Sequence, residues 1–186
     1  GNNTAKFAQC GFNVWYNAQN TSNYGWTCNL TANDSANTWT GGAGTEDAAR
    51  VNALVAIDIN SSTMDFGALN PGQNSTGTVN VSNYGNTRID IRLNGTGLSC
   101  DKGTVDPGML MYNCTDAVDV GLTKGTNLTG TITTCSPFDL AETAETSTPS
   151  PTQSSVYWRL QVPYGGEDNT IGGECTGSVW FIGTQG

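Results

Sequence analysis

The chain contains no histidine, and only seven of its 186 residues are lysine or arginine. The first absence removes the commonest general base, the commonest metal ligand and the usual middle member of a Ser–His–Asp triad. The second removes the cationic footprint that nucleic acid or an anionic membrane surface requires; with 16 Asp plus Glu the net charge is −9. Long hydrophobic runs are lacking too, and none approaches the roughly 20 apolar residues of a bilayer-spanning helix, so no membrane span is expected. No basic-then-apolar signal segment opens the sequence, which suggests a mature chain whose leader has been removed. Charged residues make up only 12%, and no stretch keeps a helical period beyond a turn or two.

Gly, Asn, Ser and Thr stand where Lys and Glu are usual, a composition of turns and short strands. With 36% hydrophobic residues, five Trp, six Tyr and five Phe, the chain can build a core, and its length suits one domain with room for an appendage. Ten Asn-x-Ser/Thr triplets are present, at Asn2, Asn20, Asn29, Asn33, Asn60, Asn74, Asn80, Asn94, Asn113 and Asn127. Chance placement of this chain's Asn, Ser and Thr would give about four. Such triplets act as glycan acceptors only outside the cytosol and only where the sugar can project into solvent, so N-linked glycans are expected partners. The six cysteines form no CxxC pair and have no histidine to complete a zinc site, so a disulfide framework in an oxidising compartment is expected.

One pairing follows from parity. Ala8, Cys10, Phe12, Val14, Tyr16 and Ala18 alternate with mostly polar neighbours, Trp15 excepted, and Tyr24, Trp26, Cys28, Leu30 and Ala32 repeat the pattern. Setting Cys10 opposite Cys28 brings Phe12 against Trp26 and Val14 against Tyr24 on one face, predicting an N-terminal hairpin closed by Cys10–Cys28. The glycine-rich stretch Asn37–Asp47 reads as a tether or a long loop. Residues 1–50 thus form a hairpin and tether, and residues 51–186 a sandwich of short strands. Expected strands run over Val51–Ile59, Met64–Leu69 (stopped by Asn70-Pro71-Gly72), Gly77–Ser82, Arg88–Asn94, Val118–Leu122, Leu128–Thr134, Val156–Val162 (ended by Pro163) and Cys175–Ile182. Asn83-Tyr84-Gly85-Asn86 reads as a hairpin turn. Val179 and Phe181 on one face and Trp180 and Ile182 on the other predict a central strand, or one covered by a partner. The Thr/Ser/Pro/Glu segment Ala141–Ser155 reads as a surface loop suited to O-glycosylation.

Met64-Asp-Phe-Gly-Ala-Leu-Asn-Pro-Gly, Val79-Asn-Val-Ser-Asn-Tyr-Gly-Asn and Ile89-Asp-Ile-Arg-Leu resemble the pattern of immunoglobulin-like surface modules. Tyr157-Trp-Arg-Leu-Gln-Val-Pro and Gly173-Glu-Cys-Thr-Gly-Ser-Val are similar to repeated domains of large secreted archaeal cell-surface proteins. The resemblance covers roughly Ala56 to Ile182. It implies an all-β, immunoglobulin-like β-sandwich with an N-terminal β-hairpin or strand extension. It further implies that Cys100 pairs with Cys175, leaving Cys114 with Cys135. The front hairpin resembles the last two strands of such a module, displaced to the start of the chain. An apolar strand pair on a tether could complete the sandwich of the next subunit, with Phe7, Phe12, Val14, Trp15 and Tyr16 as the donor-strand interface. A head-to-tail contact that does not close generates a fibre of identical subunits. The expected function is therefore a structural subunit of an extracellular, N-glycosylated archaeal filament, with the hairpin folding back on its own sandwich as the structural alternative.

Other roles would rest on other residues. An S-layer or cell-surface adhesion module shares the composition. A carbohydrate-binding module would use Trp15, Trp39 and Tyr157, which fall off the buried phase. Glycoside hydrolysis needs two acids flanking a bond, and Asp116 with Asp119 or Glu167 with Asp168 are the candidates; both pairs sit in Gly, Asn and Thr loops with no sign of a pocket. The same oxygens suit calcium, but no Asp-x-Asp-x-Asp-Gly loop places it, so no cofactor and no enzymatic activity are assigned.

Overall fold

A computed structural model describes residues 51–115, 125–143, 150–164 and 171–186, together with Ala18 and the backbone of residues 29–33 and 39–43. The Cys10–Cys28 bridge, the five donor-interface residues, the Val118–Leu122 strand, Trp15 and the acids Asp116, Asp119, Glu167 and Asp168 lie outside the described residues.

The described strands are β1 (Asn29–Asn33), β2 (Trp39–Ala43), β3 (Ile57–Ile59), β4 (Asn74–Asn83), β5 (Ile89–Gly95), β6 (Leu98–Lys102), β7 (Thr104–Val105), β8 (Leu110–Asn113), β9 (Thr126–Asn127), β10 (Thr133–Thr134), β11 (Thr152–Gln161), β12 (Gly172–Thr176) and β13 (Val179–Gln185). One 3-10 turn, Pro107–Met109, precedes β8, with Asp106 capping the Gly108 N–H. The fold is all-β. A five-stranded sheet in the order β3-β4-β11-β8-β9 faces a three-stranded sheet, β10-β5-β13, while β12-β6-β7 form a second three-stranded sheet. All pairings are antiparallel.

Period-two alternation builds the core. Val79 and Val81 of β4, Ile89, Ile91 and Leu93 of β5, and Val156, Trp158 and Leu160 of β11 all point inward and are buried. Trp158 joins the two layers, tilted against Tyr112 on its own sheet (ring centroids 5.6 Å) and edge-on to Phe181 of the opposite sheet (6.0 Å). The Tyr112 hydroxyl is buried without a hydrogen-bond partner among the described residues. Burial pushes its pKa above the ordinary phenol value. The folded state favours the neutral phenol, so this contribution is whole below about pH 10 and is lost as pH rises toward the folded-state pKa. Tyr112→Phe is expected to flatten that alkaline loss and to add about 1 kcal/mol at neutral pH, read from guanidinium midpoints at pH 8 and pH 11.

The structure corrects several expectations. Asn83–Asn86 is not a hairpin turn: β4 and β5 lie in opposite sheets, and the segment arches between them. Asn83, fully buried, holds the arch. Its Nδ2 donates to the carbonyls of Thr87 (2.9 Å), Ala141 (3.0 Å) and Leu140 (3.4 Å), and its Oδ1 accepts from Gly85 N (2.7 Å). Thr143 Oγ1 donates to the Asn83 carbonyl at 2.7 Å. Gly85 is required by close approach, since a Cβ there would run into the Leu54 carbonyl oxygen. Asn83→Ala takes this donor from the Thr87 carbonyl and this acceptor from Gly85 N, while the Leu140 and Ala141 carbonyls keep Ile89 N and the Thr152 hydroxyl, at an expected cost of about 2 kcal/mol by chemical denaturation.

Of Val51–Ile59 only Ile57–Ile59 forms a strand, because the preceding backbone bonds to the arch. Asn86 Oδ1 accepts from Leu54 N (2.7 Å) and Asn86 N donates to the Leu54 carbonyl (3.2 Å). Met64–Leu69 is not a strand either. Gly67 adopts a left-handed φ of 72°, and its N–H is taken by Asp65 Oδ1 at 2.8 Å, although Met64, Phe66 and Leu69 still pack on the core. Of Leu128–Thr134 only Thr133–Thr134 forms a strand, β10; β9 ends just before the buried Leu128. Thr152–Ser155, expected in a loop, belong to β11. Cys175–Ile182 divides into β12 and β13 around Gly177-Ser178. Finally, the segment expected to be a tether contains β2, which pairs with β1 from Asn33↔Trp39 to Asn29↔Ala43.

Both described bridges have the connectivity that the resemblance implies. Cys100–Cys175 joins β6 to β12, and Cys114–Cys135 ties the end of β8 to the segment after β10. Structural disulfides of this kind belong to oxidising, non-cytosolic compartments.

Candidate glycan-bearing and assembly surfaces

Strand register decides which side chains share a face. On the five-stranded sheet, Asn74 lies opposite Gln161, Asn80 opposite Ser155, Asn113 opposite Tyr157 and Asn127 opposite Met111. All four occupy the phase opposite to Val79, Val81, Trp158 and Leu110, and therefore the outer face. Asn60, just past β3, joins them: its Oδ1 accepts from Asn80 N at 2.8 Å, and its own N–H donates to the Asn80 carbonyl at 3.1 Å. Asn60, Asn74 and Asn127 are exposed, and Asn80 is half-buried with its Oδ1 taking the Ser155 hydroxyl at 2.7 Å. Asn113 is the least accessible, at 6% exposure, with its Oδ1 accepting from both Thr115 N and Thr115 Oγ1. Tyr157 is on the outer face, as its off-phase position predicts.

The three-stranded sheet is different. Its outer face carries Asp90, Arg92 and Asn94 from β5 and Trp180, Ile182 and Thr184 from β13, paired Trp180↔Asn94, Ile182↔Arg92 and Thr184↔Asp90. Trp180 is 48% exposed, and Asn94 is the sole acceptor triplet on this face among the described residues. Contrary to a central position, β13 has β5 as its only paired neighbour among the described residues, along all seven of its residues. Its inner side chains, Val179 and Phe181, pack on the core, and Val55 and Ile57 come against Gly183.

Ala18, at the end of the first alternating segment, is buried at 9% exposure. Its carbonyl accepts from Asn86 Nδ2 at 2.8 Å, and the same nitrogen donates to the Asn52 carbonyl at 3.1 Å. The leading segment therefore touches its own sandwich at the arch. Sequence reasoning missed Asn86 as this anchor, because a short polar run between strands reads as an ordinary turn.

Among the described residues no group of three or more Cys, Asp or Glu is placed to hold a metal ion. No helix among them is long and apolar enough to cross a membrane. No protein-family model matches the chain, and a search of curated proteins returns no match.

Proposed function

We propose that the protein is a structural subunit of an extracellular, N-glycosylated filament, archaeal in type, assembled head to tail by strand donation from the N-terminal segment. The observation that carries this reading is β13. A seven-residue strand, apolar on both faces, with one paired neighbour among the described residues presents a row of backbone donors and acceptors that another strand would satisfy. The leading segment supplies the complement, since Phe12, Val14 and Tyr16 fall on one side of its alternation.

The acceptor pattern fits the same role. Glycans on Asn60, Asn74, Asn80 and Asn127 would coat the five-stranded wall, suppressing wrong edge pairing and resisting proteases, and would leave the β13 edge to protein. Negative-stain electron microscopy of the purified glycoprotein is expected to show unbranched fibres, and electrophoresis a ladder that survives detergent and heat. A two-dimensional lattice or a uniformly monomeric preparation would overturn the reading.

A further inference from the structure

We propose that Trp180 is a platform for the saccharide carried by Asn94, with the apolar face of the first sugar ring lying on the indole. The inference rests on the reading of this chain as an N-glycoprotein, and it assigns a ligand to an aromatic that the core does not use.

Register is the first support. Trp180 and Asn94 are directly opposed on adjacent antiparallel strands and share the outer face. Opposed Cβ atoms of that kind are about 4.5–5.5 Å apart, so a ring attached to the asparagine amide lies alongside the indole. The other accessible acceptors on strands face Gln161, Ser155 and Met111. Asn113 also faces an aromatic, Tyr157, but is itself buried. Among the described residues, Asn94 alone combines a half-buried acceptor with an opposed, exposed aromatic.

Rigidity is the second. The hydroxyl residue of the triplet, Thr96, is tied to the start of β13 from both directions. Thr96 N donates to the Ser178 carbonyl at 2.9 Å, and Ser178 N donates to Thr96 Oγ1 at 3.0 Å. Gly95 N donates to the Thr129 carbonyl at 3.1 Å. The acceptor and the platform therefore keep their register.

Chemistry is the third. Asn94 Oδ1 is buried without a hydrogen-bond partner among the described residues, while the indole beside it is half uncovered. A saccharide joined to the amide nitrogen projects outward and offers an apolar C–H face to that aromatic ring.

The test uses the full chain from a glycosylating host, as wild type, Trp180→Ala, Trp180→Phe, Asn94→Gln and the Trp180→Ala/Asn94→Gln pair. Glycopeptide mass spectrometry is expected to find Asn94 occupied. Trp180→Ala is expected to lower Tm by about 3–6 °C in the glycosylated chain, and by under about 1 °C in the Asn94→Gln background. Trp180→Phe should recover part of the loss. Upfield ring-current shifts of the sugar protons should vanish in Trp180→Ala. An empty Asn94 beside other filled acceptors, equal losses in both backgrounds, or unshifted sugar resonances would each overturn the proposal while leaving the filament reading intact. So would loss of fibres on Trp180→Ala in both backgrounds, which would assign Trp180 to a subunit contact. A chain with every acceptor empty would remove the glycoprotein reading itself.

Discussion

A chain lacking residues 1–33 is expected to stay monomeric at concentrations where the full chain forms fibres, and to fold. The packed core draws its residues from positions 57 to 181, none of them in the deleted segment. At the arch the deletion removes one acceptor, the Ala18 carbonyl, and Asn86 Nδ2 keeps the Asn52 carbonyl while Asn86 Oδ1 keeps Leu54 N. The deletion also removes β1, the strand paired with β2, so the β1–β2 ribbon is expected to be lost while the packed core stays folded, against a total loss of polymer. Sedimentation and electron microscopy read the polymer; thermal denaturation reads the fold. Adding back a synthetic peptide of residues 1–33 should produce a stable one-to-one complex without fibres, because a peptide can fill a site but cannot pass the chain on. Fibres formed by the truncated protein would end the strand-donation model.

Opening the two described disulfides is the other large expected effect. They close loops of sequence separation 75 and 21, the smaller nested in the larger. On the chain-entropy account the bridges contribute about 4 and about 3 kcal/mol. Together that is about 7 kcal/mol against a typical total of about 5–15, so loss of both should lower Tm by roughly 15–25 °C. Accessibility sets the order of loss. Cys175 is exposed and Cys100 half-buried, whereas Cys114 and Cys135 lie in the core, so mild reductant should open the Cys100–Cys175 bridge first. Replacing both Cys100 and Cys175 by Ser should cost about 4 kcal/mol in guanidinium denaturation and leave the β4–β11 ladder folded.

The elements legible in the sequence are those whose period is strict and whose inner residues are branched or aromatic. Ile89-Ile91-Leu93 and Val156-Trp158-Leu160 read as strands because alternation alone separates their wet and dry sides, and the structure places them so. The arch was illegible, because Asn83-Tyr84-Gly85-Asn86 has the residues of a hairpin turn. What makes it a crossing between sheets is bonding to Leu140, Ala141 and Thr143, more than fifty residues away, which no local pattern encodes. The same holds for Val51–Ile59, whose alternation is regular but whose first half bonds to the arch instead of a ladder. The β13 edge was half legible. Two apolar faces signalled a neighbour or a partner, and only the sheet order separates these, by giving β13 a single paired strand among the described residues. The bridges were open from spacing alone, and the immunoglobulin-like resemblance supplied the pairing that the coordinates bear out.

The contact between Ala18 and Asn86 has a mechanical consequence. Asn86 lies just before Ile89, where β5 begins, and β5 is laddered to β13 from Ile89↔Gln185 to Gly95↔Val179. A tensile load entering through the leading segment would run lengthwise along β5, in shear against β13. The rungs of that ladder would bear the pull together instead of yielding one at a time.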